Sequence, residues 1–224
     1  FRAALAAVWS EAPTRRFALF IFVSILAYSA QDLILEPFAG VVFGMTPGQS
    51  TAMGGMQHGG VLAGMIAAAL LAPRVGTLRG WATGGCAVSA VALVALALSP
   101  LGGSVTLLRA AVFVLGVANG AFCVGAIGSM MALTAAGDRR TGLRMGVFGA
   151  AQAVAYGAGG FAGAAATDLA RLLLDAPSAA YGLVFAGEAA LFLGAAYLAA
   201  QTGVRARTLP LAERHGDSML AALR

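Results

Sequence analysis

Lysine is absent from this sequence of 224 residues, and all 14 basic residues are arginine. Charge of either sign is scarce. Charged residues make up 10% of the chain, against about 25% in an ordinary soluble domain. Histidine and cysteine occur twice each. Cys86 and Cys123 both fall inside apolar runs, so they form no metal-spacing motif and say nothing about redox compartment. There is no phosphate-binding glycine loop after a strand, no HExxH, no CxxC and no serine nucleophile elbow. Metal-site catalysis is therefore not expected, and neither is an enzyme of any soluble type. No charged segment followed by a short apolar stretch opens the chain, so no signal peptide is expected. The first residue is Phe1 rather than Met, which suggests part of a longer chain.

What is present is apolarity. The chain is 60% hydrophobic, with a mean hydropathy of +0.86. About 20 apolar residues cross a bilayer core as a helix. The expectation is an all-α membrane protein with six transmembrane helices, at 17–43, 50–72, 80–99, 105–133, 141–166 and 179–201. The breaks carry Pro, Gly or charge: GMTPGQ, APRVGTLR, SPLGGS, AAGDRRT and TDLARLLLDAPS. Residues 1–16 read as an interfacial or cytoplasmic segment, 17–201 as the bundle and 202–224 as a cytoplasmic tail. An apolar face of Phe1, Leu5, Val8 and Trp9 suits the interface; a plain linker is the alternative.

The net charge of +5 is not a nucleic-acid signal, because its arginines sit between spans. Arg2, Arg15, Arg16, Arg74, Arg79, Arg139, Arg140, Arg144, Arg205, Arg207, Arg214 and Arg224 fall on one side of a six-span topology. Only Arg109 and Arg171 fall on the other. Cytoplasmic loops carry the arginine excess, so both termini are expected inside. Glycines four apart (Gly60/Gly64, Gly80/Gly84, Gly116/Gly120, Gly142/Gly146, Gly159/Gly163) allow close helix approach and read as a tightly packed bundle.

The polar residues inside spans are few: Gln31, Asp32 and Glu36 in the first, His58 in the second, Arg109 and Asn119 in the fourth, Gln152 in the fifth, Glu188 in the sixth. Such residues face a bundle interior or cavity. Asp32 and Glu36 are one turn apart and share a helix face. Pro37 lacks an N–H and leaves the Leu33 carbonyl without its usual partner, so a kinked or broken helix is expected there. Either this is a polar site, or it is a helix end whose acids reach water. Counted along the span, Asp32 is embedded while Glu36 nears the surface. His58, in GGMQHGG, has glycines on both sides. Its ring could ligate a metal, including the magnesium of a chlorin, or could simply be packed with one hydrogen bond. Glu188 would pair with Arg109 if their helices meet.

Six spans with both ends inside resemble one half of a major facilitator superfamily transporter, which is built from two six-helix halves. More specifically, SAQDLILEPFAG, the MGGMQHGGVLAGM span and GDRRTGLRMGVFGAAQA resemble the PucC/LhaA group, the bacteriochlorophyll-delivery family of light-harvesting assembly proteins. The resemblance implies the C-terminal half of such a protein, in the photosynthetic intracytoplasmic membrane of a bacterium. It implies a role in assembling a light-harvesting complex by handling bacteriochlorophyll or antenna polypeptides. The implied partners are those polypeptides or the reaction-centre core, the N-terminal six-helix half and membrane lipid; the implied cofactor is bacteriochlorophyll. A proton-coupled small-molecule transporter and a structural subunit of a larger complex are the alternatives. One departure weighs against a pumping cycle. Many facilitators carry Gly-x-x-x-Asp-Arg-x-Gly between the second and third helices of a half, and APRVGTLRG keeps Arg74, Gly76, Arg79 and Gly80 but no acid.

Overall fold

The computed structural model describes residues 9–134 and 141–202. Residues 1–8, Arg139, Arg140 and the tail from 203 lie outside the described residues, and with them most of the expected interfacial segment and tail. The described chain is all α-helical. Its helices are α1 (Ala12–Phe43), α2 (Pro47–Leu71), α3 (Leu78–Gly102), α4 (Val105–Thr134), α5 (Thr141–Leu173) and α6 (Pro177–Gln201).

Local chemistry sets the boundaries where hydropathy misplaces them. Helix α1 starts at Ala12, not 17, with a proline in its first turn that needs no N–H partner. It ends on Gly44, whose φ of 63° is left-handed. Thr46 then caps α2. Its hydroxyl accepts from the Gln49 N–H, and the Thr46 N–H donates to Gln49 Oε1 at 2.9 Å. This reciprocal box, with Pro47 next, starts α2 ahead of its apolar run. Helix α5 continues to Leu173 because TDLARLL, expected as a break, contains no helix breaker.

Five helices are long and apolar enough to cross a membrane, which makes the chain a multi-pass membrane protein. The other is α5, whose 33 residues include seven glycines, Gln152, Asp168 and Arg171. It is long enough to span but diluted in hydrophobicity.

The helices pack by a simple rule. Helix α1 packs on α5 and α6, α4 packs on α2 and α3, and α3 and α6 pack together. Exchanging α1–α3 for α4–α6 maps this set of pairings onto itself. Three is an odd number of crossings, so the second unit runs opposite to the first, as in an inverted repeat. Two contacts fix the ends. Arg144 Nη2 meets Glu11 Oε2 at 3.0 Å, joining the starts of α1 and α5. Arg79 Nη1 donates to the Ala200 carbonyl at 3.3 Å, joining the start of α3 to the end of α6. Arg15, Arg16, Arg74, Arg79 and Arg144 thus share one end of the bundle.

Three of the five glycine pairs form seams. A Cβ on Gly60 would stand 2.7 Å from the Phe113 carbonyl oxygen, and one on Gly64 would run into Val117. From the other side, Gly116 and Gly120 lie on the backbones of Gln57 and Val61. In the equivalent place on α1 and α5, Gly159 abuts Leu26 and Gly163 abuts Ala30. Gly84, Gly142 and Gly146 have open space instead, so those two pairs are not seams between described helices. The buried core carries rings from α1, α5 and α6. Phe38 meets Phe185 edge-on with centroids 4.9 Å apart, and Phe17 meets Phe148 at 4.8 Å.

Candidate functional site

The outer surface of the bundle is mostly hydrocarbon: Leu62 and Ile66 on α2, Val91 and Leu98 on α3, Phe161 and Leu172 on α5 are all exposed. Against this background Asp32, Glu36 and His58 are exposed too. Asp32 is the twelfth residue from the C-terminal end of α1, and His58 is the twelfth residue of α2. At 1.5 Å per residue both lie about 17 Å from the hairpin that joins the helices. That is near the middle of a hydrocarbon core about 30 Å thick.

Helix α1 is unbroken through Pro37, so the expected break is not there. A single missing i→i−4 bond leaves the rest of the ladder intact. Without a break, Asp32 and Glu36 stay one turn apart on an exposed face, and each meets α2. Asp32 Oδ1 lies 3.8 Å from His58 Nε2, with the two side chains 40% and 61% exposed. Glu36 Oε1 lies 2.9 Å from where a Cβ on Gly54 would stand. His58 Nδ1 is 2.8 Å from the Gly54 carbonyl. A carbonyl only accepts, so Nδ1 carries the hydrogen and Nε2 is the nitrogen turned to Asp32 and the exterior. Gly55 and Gly59 beside the ring have nothing within 4 Å of a Cβ position. Tyr28, one turn before Asp32, sets its ring edge-on to Tyr156 of α5 at 6.2 Å. Ser29 Oγ donates to the Tyr156 carbonyl at 2.8 Å.

The remaining candidates lie elsewhere. Gln31 points inward and is 1% exposed, with neither amide atom hydrogen-bonded. Asn119 Oδ1 accepts from Ser89 Oγ at 2.9 Å, a buried link between α4 and α3. Gln152 is exposed on α5. Arg109 is exposed, while Glu188 is buried with no hydrogen-bond partner, so the Glu188–Arg109 pair that would follow from a meeting of their helices does not form. A charge at the start of α4 reaches the membrane surface more cheaply than the bundle core. The arginines flanking the APRVGTLRG loop are satisfied without an acid: Arg74 Nη1 donates to the Leu70 carbonyl at 3.2 Å and Arg79 to Ala200. Gly54 and Tyr28 are participants that the sequence reading passes over. Their signal is spacing, since Gly54 is one turn before His58 and Tyr28 one turn before Asp32.

The arrangement presents one nitrogen and one carboxylate at mid-depth, with a second carboxylate one turn nearer the hairpin, on a face that the described helices leave uncovered. Comparisons with known proteins bear on the family of the chain. The family model described as PUCC protein matches residues 1–207. Bacteriochlorophyll synthase 44.5 kDa chain of Rhodobacter capsulatus is 51% identical over 201 residues, 88% of this chain and 46% of that protein. A second Rhodobacter capsulatus protein, named for the puhA-bchM intergenic region, is 34% identical over 169 residues, 75% of this chain and 35% of its own. The chain thus spans half or less of either relative.

Proposed function

The chain belongs to the PUCC protein family, and from that premise we propose that it is half of an assembly factor for a bacterial light-harvesting complex. Family membership and the relative's name support a role connected with bacteriochlorophyll and photosynthesis. The observation that carries the reading is the Asp32–His58–Glu36 patch. Three ionisable side chains within the hydrocarbon span, two of them at mid-depth, are costly against lipid. They suit a face closed by the N-terminal six helices of the same protein, by pigment or by antenna polypeptides. The five main helix pairings, unchanged when α1–α3 and α4–α6 are exchanged, support half of a major facilitator fold.

The residues fit a chlorin. His58 Nε2 is outward, its ring is held by the Gly54 carbonyl, and Gly55 and Gly59 leave room beside it. Bacteriochlorophyll, when bound, supplies a magnesium that takes an imidazole nitrogen as ligand. Asp32 and Glu36 hydrogen-bond to a polar group of the cargo or of the covering helices. The protein binds and positions; it carries out no bond-making step.

The expected result of gentle purification is a complex containing antenna or reaction-centre polypeptides with chlorin absorption. His58→Phe should lose most of that absorption at unchanged protein yield. Unchanged pigment per protein would return His58 to a packing role, and a preparation free of photosynthetic polypeptides would count against the function.

Orientation is tested separately. Both termini are cytoplasmic in this reading, in the inner or intracytoplasmic membrane. With Cys86 and Cys123 replaced, single cysteines at Gly48, Gly102 and Ser178 should label from the periplasm, and one at Thr77 should not. Labelling at Thr77 in intact cells would invert the topology.

A further inference from the structure

Tyr28 flanks the patch. It is half-buried on α1, one turn, about 5 Å, further from the hairpin than Asp32 and on the same helix face. Two contacts hold its ring in place. It meets Tyr156 edge-on, with planes at 89° and centroids 6.2 Å apart. The Tyr156 backbone is itself tied to α1, because its carbonyl accepts from Ser29 Oγ. Tyr156 is the sixteenth residue of the 33 in α5, so the pair sits near the middle of that helix as well. The Asp32 carboxylate acts electrostatically on both phenols, which places them beside the patch. Tyr28 Oη has no hydrogen-bond partner among the described residues. Unlike the polar side-chain atoms of Gln31 and Glu188, it is not shut inside the bundle, so a ligand can reach it.

A phenol keeps its proton at neutral pH and donates it. At this depth an unpaired donor is costly. The polar headgroups of lipid lie outside the hydrocarbon core and do not reach it. Helical backbone carbonyls are already engaged in their own ladders. The acceptor therefore arrives with whatever covers the patch. The geometry points to Tyr28 as a hydrogen-bond donor to the bound chlorin, with Tyr28 Oη donating to a carbonyl oxygen on the rim of the macrocycle. Bacteriochlorophyll carries such carbonyls, conjugated with the ring, on a body that is otherwise largely apolar. The inference rests on chlorin binding at His58 and adds orientation to it. A single nitrogen ligand leaves a flat ring free to turn about that bond, and a second contact at the rim stops the turning. Tyr156 is a positioning residue, since its edge-on ring holds the ring of Tyr28.

The test uses full-length protein purified gently with its pigment, and resonance Raman spectra of the conjugated carbonyl stretches. A hydrogen bond lowers the frequency of such a stretch. In the parent, one stretch is expected at a hydrogen-bonded frequency. Tyr28→Phe should return it to the frequency of a free carbonyl, at unchanged melting temperature, with pigment affinity falling only about two- to tenfold. Tyr156→Phe keeps the edge-on ring and should leave the stretch where the parent has it. Three results would overturn the inference while leaving His58 as the ligand: a parent spectrum with free carbonyls alone, a lowered stretch that persists in Tyr28→Phe, or a stretch freed by Tyr156→Phe, which would make Tyr156 the donor. A parent protein purified with its photosynthetic partners but without chlorin would overturn the reading of His58 and this inference together.

Discussion

Asp32→Leu is expected to abolish antenna assembly in cells, while Asp32→Asn retains most of it. Leucine leaves His58 Nε2 with no neighbour on α1 and removes a hydrogen-bonding group from the uncovered face at mid-depth. A hydrogen bond to a charged group contributes about 1.5–3 kcal/mol, so occupancy of the assembled complex should fall roughly ten- to hundredfold. Asparagine keeps an acceptor and adds a donor at the same place. Antenna absorption per cell, with immunoblot control for protein level, reads the outcome. The same pair of variants separates the rival transport function. A carboxylate and an imidazole at mid-depth are also the parts of a proton relay, and in a proton-coupled transporter Asp32→Asn abolishes coupling. If Asp32→Leu and Glu36→Leu both leave antenna levels normal, the patch has no part in assembly.

The largest effect on stability is expected at the α2–α4 seam. Gly64→Ala and Gly120→Ala each place a methyl group against the backbone of the opposite helix, at Val117 and Val61. A flexible side chain could swing aside; a helical carbonyl cannot, so the helices must separate. Overpacking of this kind costs about 1–3 kcal/mol or more, and close approach through small residues is a main source of helix association in lipid. Gly59→Ala is the control. It lies on the same helix with nothing within 4 Å of the new methyl, and alanine is better in a helix than glycine by up to about 1 kcal/mol. In detergent melts, the seam variants should lose folded protein at temperatures where Gly59→Ala matches or exceeds the parent. Equal melting of all three would mean that α2 and α4 are not held by this seam.

How much of this was legible in the sequence depends on the kind of signal. Six helices could be read because apolar length and arginine placement are properties of the chain alone. Their ends were less legible at Thr46, where a hydrogen bond between side chain and backbone leaves no trace in hydropathy, and at Ala12, where a proline in the first turn starts the helix ahead of the apolar run. Pro37 was expected to kink or break α1, and the helix runs on through it without a break, because one missing bond leaves the turns on either side intact. Asp32, Glu36 and His58 could be singled out one by one as polar residues in apolar runs. That Asp32 meets His58, and that Glu36 lies over Gly54, depends on helix pairing and was not visible. Glu188 and Arg109 show the converse, an opposite-charge pair plausible on paper that the fold places apart. Glycine spacing marked the seams but could not tell a packed pair, such as Gly116 and Gly120, from an open one, such as Gly142 and Gly146.

The three-residue turn of Gly44, Met45 and Thr46 has a consequence for biogenesis. Asp32 and His58 lie equally far from it along their helices, so their meeting is decided by counting residues within one hairpin. A contact closed by so short a loop forms ahead of any that waits for distant parts of the chain. During synthesis α1 and α2 emerge first among the six, well before the α4 that completes one seam or the α5 that completes the other. The acid and the imidazole can therefore enter the bilayer already facing each other.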